Sequence, residues 1–107
     1  MRLNKQPFEM IKNGTKTIEM RLNDEKRQLI KINDIIEFEN RDSLEIIRVK
    51  VINLYRYNDF CELYKHFNKR QLGYNVDDIF DYHDMEKYYS IEEQEKYGVL
   101  GIEVTLL

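Results

Sequence analysis

The run LEIIRVKVINLY, residues 44–55, is rich in β-branched side chains and is the longest β-strand candidate in the chain. Such side chains pack well on the pleated surface of a sheet. The apolar face of the run changes phase between Ile46 and Ile52, which predicts a bulge or a bend there. Bulges are typical of barrels, because a sheet must bend in order to curl on itself. The run therefore predicts a small, highly curved sheet or barrel.

Three further segments have the pattern of strands, and they are TIEMRL (17–22), IIEFEN (35–40) and VLGIEVTLL (99–107). The first alternates strictly, with Ile18, Met20 and Leu22 on one face, which is the period of a half-buried strand. A turn at KIND precedes the second, since Asn33 and Asp34 tolerate the left-handed region. The last is strongly apolar, which predicts a central or barrel-closing strand.

Helices are predicted before and after these strands. PFEMIKNG (7–14) has Pro7 at its first position and Gly14 at its end, which favours a short helix. The later helical segments are DFCELYKHF (59–67), capped by Asn58; residues 77–89; and a short segment from a capping box at Ser90 and Glu93 to Gly98. The order predicts an α+β fold with a short N-terminal helix and a helical insertion before the last strand.

Length and composition indicate one globular domain, residues 1–107, because 42% of the residues are hydrophobic and 35% are charged. Cys61 is the only cysteine, so no internal disulfide can form, and a cytoplasmic location is expected. We expect Cys61 to be a small core residue rather than a nucleophile. No segment has the length of a membrane span or the form of a signal peptide, so no membrane association is predicted.

Charge is distributed unevenly along the chain. Residues 1–31 hold eight Lys/Arg and four Asp/Glu, whereas residues 32–107 hold nine and sixteen. A basic N-terminal third could bind a phosphate or another anionic group locally. Chance clustering on a solvated face would produce the same asymmetry.

The most concentrated polar group surrounds the predicted strand 17–22. Glu19 and Arg21 lie two residues apart and so share one face of that strand, at about 7 Å spacing. Lys16 lies in the turn that leads into it. Two cations beside a carboxylate can bind a planar polar ligand, because the cations hold a phosphate or carbonyl and the carboxylate accepts from an amine. The alternative is a salt bridge on an exposed edge, which contributes roughly 0–1 kcal/mol.

The other groups of residues in the sequence give weaker indications of a functional site. His66 and His83 form no metal-ligand pattern, so no metal site is expected, and no glycine loop of a nucleotide cofactor type is present. Tyr55 and Tyr57, two apart near a strand end, could form a platform on which bases stack. Tyr88 and Tyr89 are expected to pack against the sheet.

The segment PFEMIKNGTKTIEMR (7–21) resembles the signature of the ASCH domain family, in which a short helix precedes the pattern Gly-x-Lys-x-x-Glu-x-Arg. The matching residues are Gly14, Lys16, Glu19 and Arg21. IKINDIIEFEN resembles the family's Lys-x-Gly-Asp turn and strand, with Asn33 where glycine is usual, and YYSIEEQEKYGVLGIEVTLL resembles the C-terminal strand of one bacterial subgroup. This resemblance implies a PUA-like β-barrel with a cleft facing the motif, and RNA or nucleotides as ligands.

Some bacterial members of that family hydrolyse acetylated cytidine with a lysine, a threonine nucleophile and a glutamate. Lys16 matches the lysine, but Glu19 stands where the threonine is expected, and Thr17 is not at that position. The stretch NKRQLGYNV (68–76), where the glutamate is expected, contains no carboxylate. A hydroxyl nucleophile must reach both the carbonyl and a base, so the resemblance does not carry this reaction over.

Three functions therefore stay open. The first is an RNA- or nucleotide-binding module in which Lys16 and Arg21 contact phosphate or a base carbonyl, Glu19 accepts from a base amine, and Lys5 lines the same mouth. The second is a small amidohydrolase of a modified nucleoside such as acetylated cytidine, with Lys16 and Glu19 as the acid–base pair. The third is an adaptor that binds protein through the acidic segment Asp77–Glu86.

Overall fold

Five strands form one curled, half-barrel sheet in the computed structural model, which describes residues 1–107. They are β1 (Arg2–Leu3), β2 (Ile18–Leu22), β3 (Ile35–Asn40), β4 (Ile46–Tyr57) and β5 (Val99–Leu106). The order across the sheet is β1-β3-β4-β5-β2, so β1 and β2 are its two edges. β1 pairs with β3 in parallel, and the other neighbours are antiparallel.

The helices are short and lie outside the sheet. They are α1 (Lys5–Lys12), α2 (Phe60–Tyr64) and α3 (Ile91–Tyr97), with 3-10 turns at Arg27–Leu29 and Tyr82–Lys87. A short helix near the N-terminus and a helical insertion between β4 and β5 confirm the predicted α+β class. None of these helices has both the length and the apolarity to cross a membrane.

β4 carries the predicted bulge. Its register with β5 shifts between Val51 and Asn53, which leaves Ile52 as the extra residue. A bulge bends the strand and increases its twist, so β4 can pair with β3 at one end and with β5 along most of its length. The strand begins two residues later than predicted, because Leu44 has a φ of +64° and belongs to the preceding turn.

β5 is an interior strand, paired with β4 on one side and β2 on the other, and it is covered on both faces. Leu100, Ile102 and Val104 pack in a core beneath α1 with side chains of β3 and β4. Val99 packs in a second core with α2 and Ile18. Burial on both faces explains why this segment reads as a continuous apolar run rather than as an alternating one.

The prediction of a helix over residues 77–89 is wrong. Only Tyr82–Lys87 is helical, as a 3-10 turn. The side chain of Asp78 accepts a hydrogen bond from the backbone N–H of Asn75, and Asp81 accepts from the N–H of His83. Such local bonds offer the backbone an alternative to the α-helix, so acids that were expected to begin a helix instead form turns.

Other element boundaries also differ from the sequence predictions. α1 begins at Lys5, so Pro7 is its third residue, which is harmless because the first-turn N–H groups need no helical acceptor. α2 is capped by Asp59 rather than by Asn58. β1 has only two residues, which is too short to produce a sequence pattern, so the sequence predicts no strand there.

A turn at residues 68–74 covers the outer edge of β2. The carbonyl of Gln71 accepts from the backbone N–H groups of Thr17 and Ile18 at 3.1 and 3.0 Å. Gly73 has a φ of +95°, and a Cβ atom placed there would lie 2.8 Å from Cδ of Lys16. The turn therefore packs directly on the alkyl part of Lys16.

Substitution of Gly73 should lower the free energy of unfolding by more than its backbone conformation alone explains. Gly73→Ala and Gly14→Ala both force alanine into a positive φ, at about 1–2 kcal/mol, but only position 73 has a side chain in the way. We expect Gly73→Ala to lose about 1–3 kcal/mol more than Gly14→Ala, as overpacking does. Urea unfolding followed by circular dichroism measures both, and equal losses would contradict the packing role.

Candidate functional site

A cavity of about 200 Å³ opens where the two edge strands of the half-barrel approach each other. Its charged lining residues are Arg2, Lys16, Glu19, Arg21 and Arg41, and its aromatic ones are Tyr88 and Tyr89. The guanidinium NH2 of Arg21 lies 3.4 Å from the carbonyl oxygen of Arg2, which links β2 to β1 across the seam. The cavity thus occupies the place where the sheet does not close.

Glu19 is held between two cations at the base of this cavity. Its Oε1 accepts from Nζ of Lys16 at 2.8 Å, and its Oε2 accepts from Nε and NH2 of Arg21 at 3.0 and 2.8 Å. The backbone N–H of Met20 donates to Oε1 at 3.3 Å. Lys16 and Glu19 are only 6% and 4% exposed, so this ion pair differs from a surface salt bridge.

Burial by itself would raise the pKa of Glu19, because it disfavours the charged form. The charges of Lys16 and Arg21, and the hydrogen bonds from both, outweigh that effect and lower the pKa below its ordinary value of 4.5. Glu19 is therefore a carboxylate at neutral pH. The exposed-edge alternative for this segment is wrong, because the turn at residues 68–74 and the cavity wall bury it.

The structure brings three of the four predicted ligand residues together and leaves one apart. Lys16, Glu19 and Arg21 are in contact and line the cavity. Lys5 is exposed at the start of α1 and is not among the lining residues.

Several lining residues had no signal in the sequence. Arg2 lies on the short strand β1, and Arg41 follows β3 in a turn, where its backbone N–H donates to the carbonyl of Leu3 at 3.0 Å. Tyr89 packs as expected, with its ring stacked on Phe60 at 5.9 Å. Tyr88 does not, since it is 63% exposed at the cavity mouth.

The stacking platform considered at the end of β4 is occupied within the molecule. Tyr55 contacts the edge of Phe67 at 5.0 Å and donates a hydrogen bond to Glu103. Tyr57 stacks on His66 at 4.8 Å. Cys61 is half-buried, and no cluster of three His, Cys, Asp or Glu side chains could hold a metal ion.

Two wider depressions, of about 470 and 460 Å³, lie elsewhere. One lies beside Tyr57 and Tyr97, and the other lies between Thr15 and the segment 74–78. Neither contains a buried charged side chain. Since function depends on placed polar groups rather than on volume, the seam cavity is the candidate site.

The family model of the ASCH domain matches the chain over residues 1–107. The chain belongs to the ASCH domain family. ASCH domains have a PUA-like fold and are generally linked to RNA binding. The resemblance noted at residues 7–21 is thereby confirmed for the whole chain.

Two solved structures resemble this ASCH domain over its full length. The crystal structure of the hypothetical protein PH0355 is 32% identical in sequence, with a TM-score of 0.84, and the match covers 100% of this chain and 96% of that one. The solution NMR structure of protein PF0455 from Pyrococcus furiosus is 31% identical, with a TM-score of 0.74 and coverage of 100% and 98%. Their names state neither a ligand nor a reaction. No curated protein matches the sequence.

Removal of the shared carboxylate should destabilise the domain strongly. Glu19→Ala leaves buried Lys16 and half-buried Arg21 without a counter-charge, and the loss of one partner of a buried ion pair typically costs about 3–5 kcal/mol. The matched control is Glu37→Ala, since Glu37 pairs with Arg48 at 3.6 Å with both side chains more than 60% exposed, and it should cost no more than about 1 kcal/mol. Urea titration of the three proteins measures the difference, and similar losses in the two variants would contradict it.

The contribution of Glu19 should also depend on pH. Because its pKa is lower in the folded than in the unfolded protein, the ionised group stabilises the fold at pH values above about 4.5. That contribution is lost as the pH falls through the folded-state pKa. We expect the difference in unfolding free energy between wild type and Glu19→Gln to be largest above about pH 6 and to shrink below pH 4.5. A difference that stays constant down to about pH 3 would exclude this linkage.

Proposed function

We propose that this ASCH domain binds RNA or a nucleotide in the seam cavity, with Lys16 and Arg21 as the deepest contacts. One observation carries the proposal: a buried lysine and a half-buried arginine share a single buried carboxylate at the base of a cavity. The three side chains together retain one positive charge. In a site screened from water, that charge attracts an anion more strongly than a surface lysine does.

Hydrogen-bond donors remain for a ligand. Nζ of Lys16 has three N–H groups and gives one to Glu19. The hydrogen bonds from Arg21 to Glu19 and to the carbonyl of Arg2 use Nε and NH2, and NH1 is not a buried unpartnered atom. Burial by itself would lower the pKa of Arg21, but Glu19 and then the Tyr89 hydroxyl, which also lies beside this guanidinium, raise it. Phosphate oxygens or a base carbonyl would accept from these groups, and bonds to charged donors are the stronger ones.

The geometry supports a different role for Glu19 from the one that the sequence predicts. A carboxylate has about four acceptor positions, and Glu19 already receives four hydrogen bonds. It has no free position for a base amine. We therefore assign Glu19 to orienting Lys16 and Arg21 rather than to contacting the ligand.

The amidohydrolase alternative has less support. A general base works best with a pKa near the working pH and a free lone pair, whereas Glu19 has a lowered pKa and is fully occupied. The backbone of Thr17 is bonded to Gln71 in the turn at residues 68–74 and to Val104 in β5, and its side chain makes no hydrogen bond to a candidate base. The adaptor alternative rests on acids of which Asp78 and Asp81 are engaged in local turns.

Binding should depend on the two deep cations. Lys16→Met keeps the alkyl stem beneath Gly73 and removes the charge. We expect Lys16→Met and Arg21→Gln each to weaken binding of a fluorescein-labelled oligoadenylate about 10- to 100-fold, as removal of a charged hydrogen bond does. The slope of log affinity against log salt should fall by about 0.7 for each phosphate that is no longer neutralised. Fluorescence anisotropy at several salt concentrations measures both quantities.

Lys65→Met is the matched control, because Lys65, like Lys16, pairs with a glutamate three residues away, but its side chain is 62% exposed and does not line the cavity. Circular dichroism establishes that each variant is folded. Affinity and salt slope that do not change in Lys16→Met and Arg21→Gln would refute the proposal. Hydrolysis of acetylated cytidine by the wild type, abolished in Glu19→Gln, would favour the enzyme instead.

A further inference from the structure

The mouth of the seam cavity carries an aromatic ring without a partner in the protein. Tyr88 lies there and is 63% exposed, and it takes part in no ring–ring contact. Its backbone is nevertheless anchored, since its N–H donates to the carbonyl of Met85 at 3.1 Å and Met85 is buried. Because its backbone is anchored, the ring of Tyr88 is held at the mouth, and it has a face that is free to stack against a ligand.

Two cations stand at the same mouth. Arg41 is exposed and forms no ion pair with any carboxylate, while its backbone is tied to Leu3 of β1. The side chain of Arg2 is 63% exposed and pairs with Glu39 at 3.0 Å. This outer group, Tyr88 with Arg2 and Arg41, therefore combines an aromatic face with a net positive charge.

The cavity is too small to enclose a whole ligand of nucleotide size or larger. Its volume of about 200 Å³ lies below the roughly 300–1,000 Å³ of pockets that bury most of a drug-sized molecule. A ligand anchored by Lys16 and Arg21 must extend out of the mouth. It then passes the outer group.

From this arrangement, and resting on the proposed function, we infer that the outer group is a second nucleotide subsite for single-stranded RNA. The base adjoining the deeply bound nucleotide stacks on Tyr88, and its phosphate lies against Arg41 and Arg2. Stacking on an aromatic ring tolerates every base, so this subsite selects for an unpaired base and a phosphate rather than for a sequence. A paired base inside a duplex has no free face to offer.

The test is a cycle that combines protein and RNA variants. The probes are a fluorescein-labelled tetra-adenylate and four versions of it, each with one abasic nucleotide. Tyr88→Ala should weaken binding of the intact RNA about 5- to 100-fold, the range for stacking of one base. One abasic version should bind wild type more weakly by a similar factor, and Tyr88→Ala should then weaken its binding no further.

Two further variants separate stacking from other causes. Tyr88→Phe keeps the ring and should retain wild-type affinity, and Tyr97→Ala removes a tyrosine outside the seam cavity and should do the same. Arg41→Gln should weaken binding of the intact and abasic RNAs equally and should reduce the salt slope by about 0.7.

The possible failures are distinguishable. If Tyr88→Ala binds the intact RNA as wild type does while Lys16→Met binds it more weakly, the outer subsite is overturned and the proposed function stands. If the loss from Tyr88→Ala simply adds to the loss from every abasic position, the subsite is also overturned. Equal affinity for an RNA hairpin whose stem pairs the same four adenylates would overturn it as well. If wild type binds none of these RNAs, both proposals are overturned.

Discussion

The contact of Glu19 with Lys16 and Arg21 is the interaction on which the site depends. Lysine and arginine are rarely buried without a partner, because removal of their charge from water costs several kcal/mol. One carboxylate with both oxygens engaged offsets that cost for two cations at once. Two positive groups can consequently stay at the base of a cavity with one net positive charge. A fully neutralised ion pair there would attract an anionic ligand only weakly.

The curvature of the sheet puts this contact where a ligand can reach it. The bulge in β4 curls the sheet until its edges approach, but β1 and β2 do not pair, and Arg21 reaches only the carbonyl of Arg2. A closed barrel would fill this place with paired backbone. The half-barrel leaves a seam instead, and the cavity lies in it. The fold supplies the opening, and the side chains that line it determine what can bind.

Prediction from the sequence succeeded where local chemistry and burial agree. The limits of β3, the bulge at Ile52, the capping box at Ser90 and the apolar strand β5 all follow from residue types at fixed spacing. It failed at residues 77–89, because aspartate favours the start of a helix and a local turn equally, and only the surrounding contacts select one. The bonds of Tyr74 to Asp84 and to the carbonyl of Asp81 hold this segment in its observed form.

The sequence by itself determined the class of the fold, the family, and the grouping of Lys16, Glu19 and Arg21, since strand alternation puts Glu19 and Arg21 on one face. Only the tertiary structure decided what that grouping is. Segments distant in the chain bury the group and bring Arg2, Arg41 and Tyr88 to the same cavity. The folded structure also shows that every acceptor position of Glu19 is occupied. Local periodicity contains no information about such contacts, because curling of the sheet, not sequence spacing, brings them together.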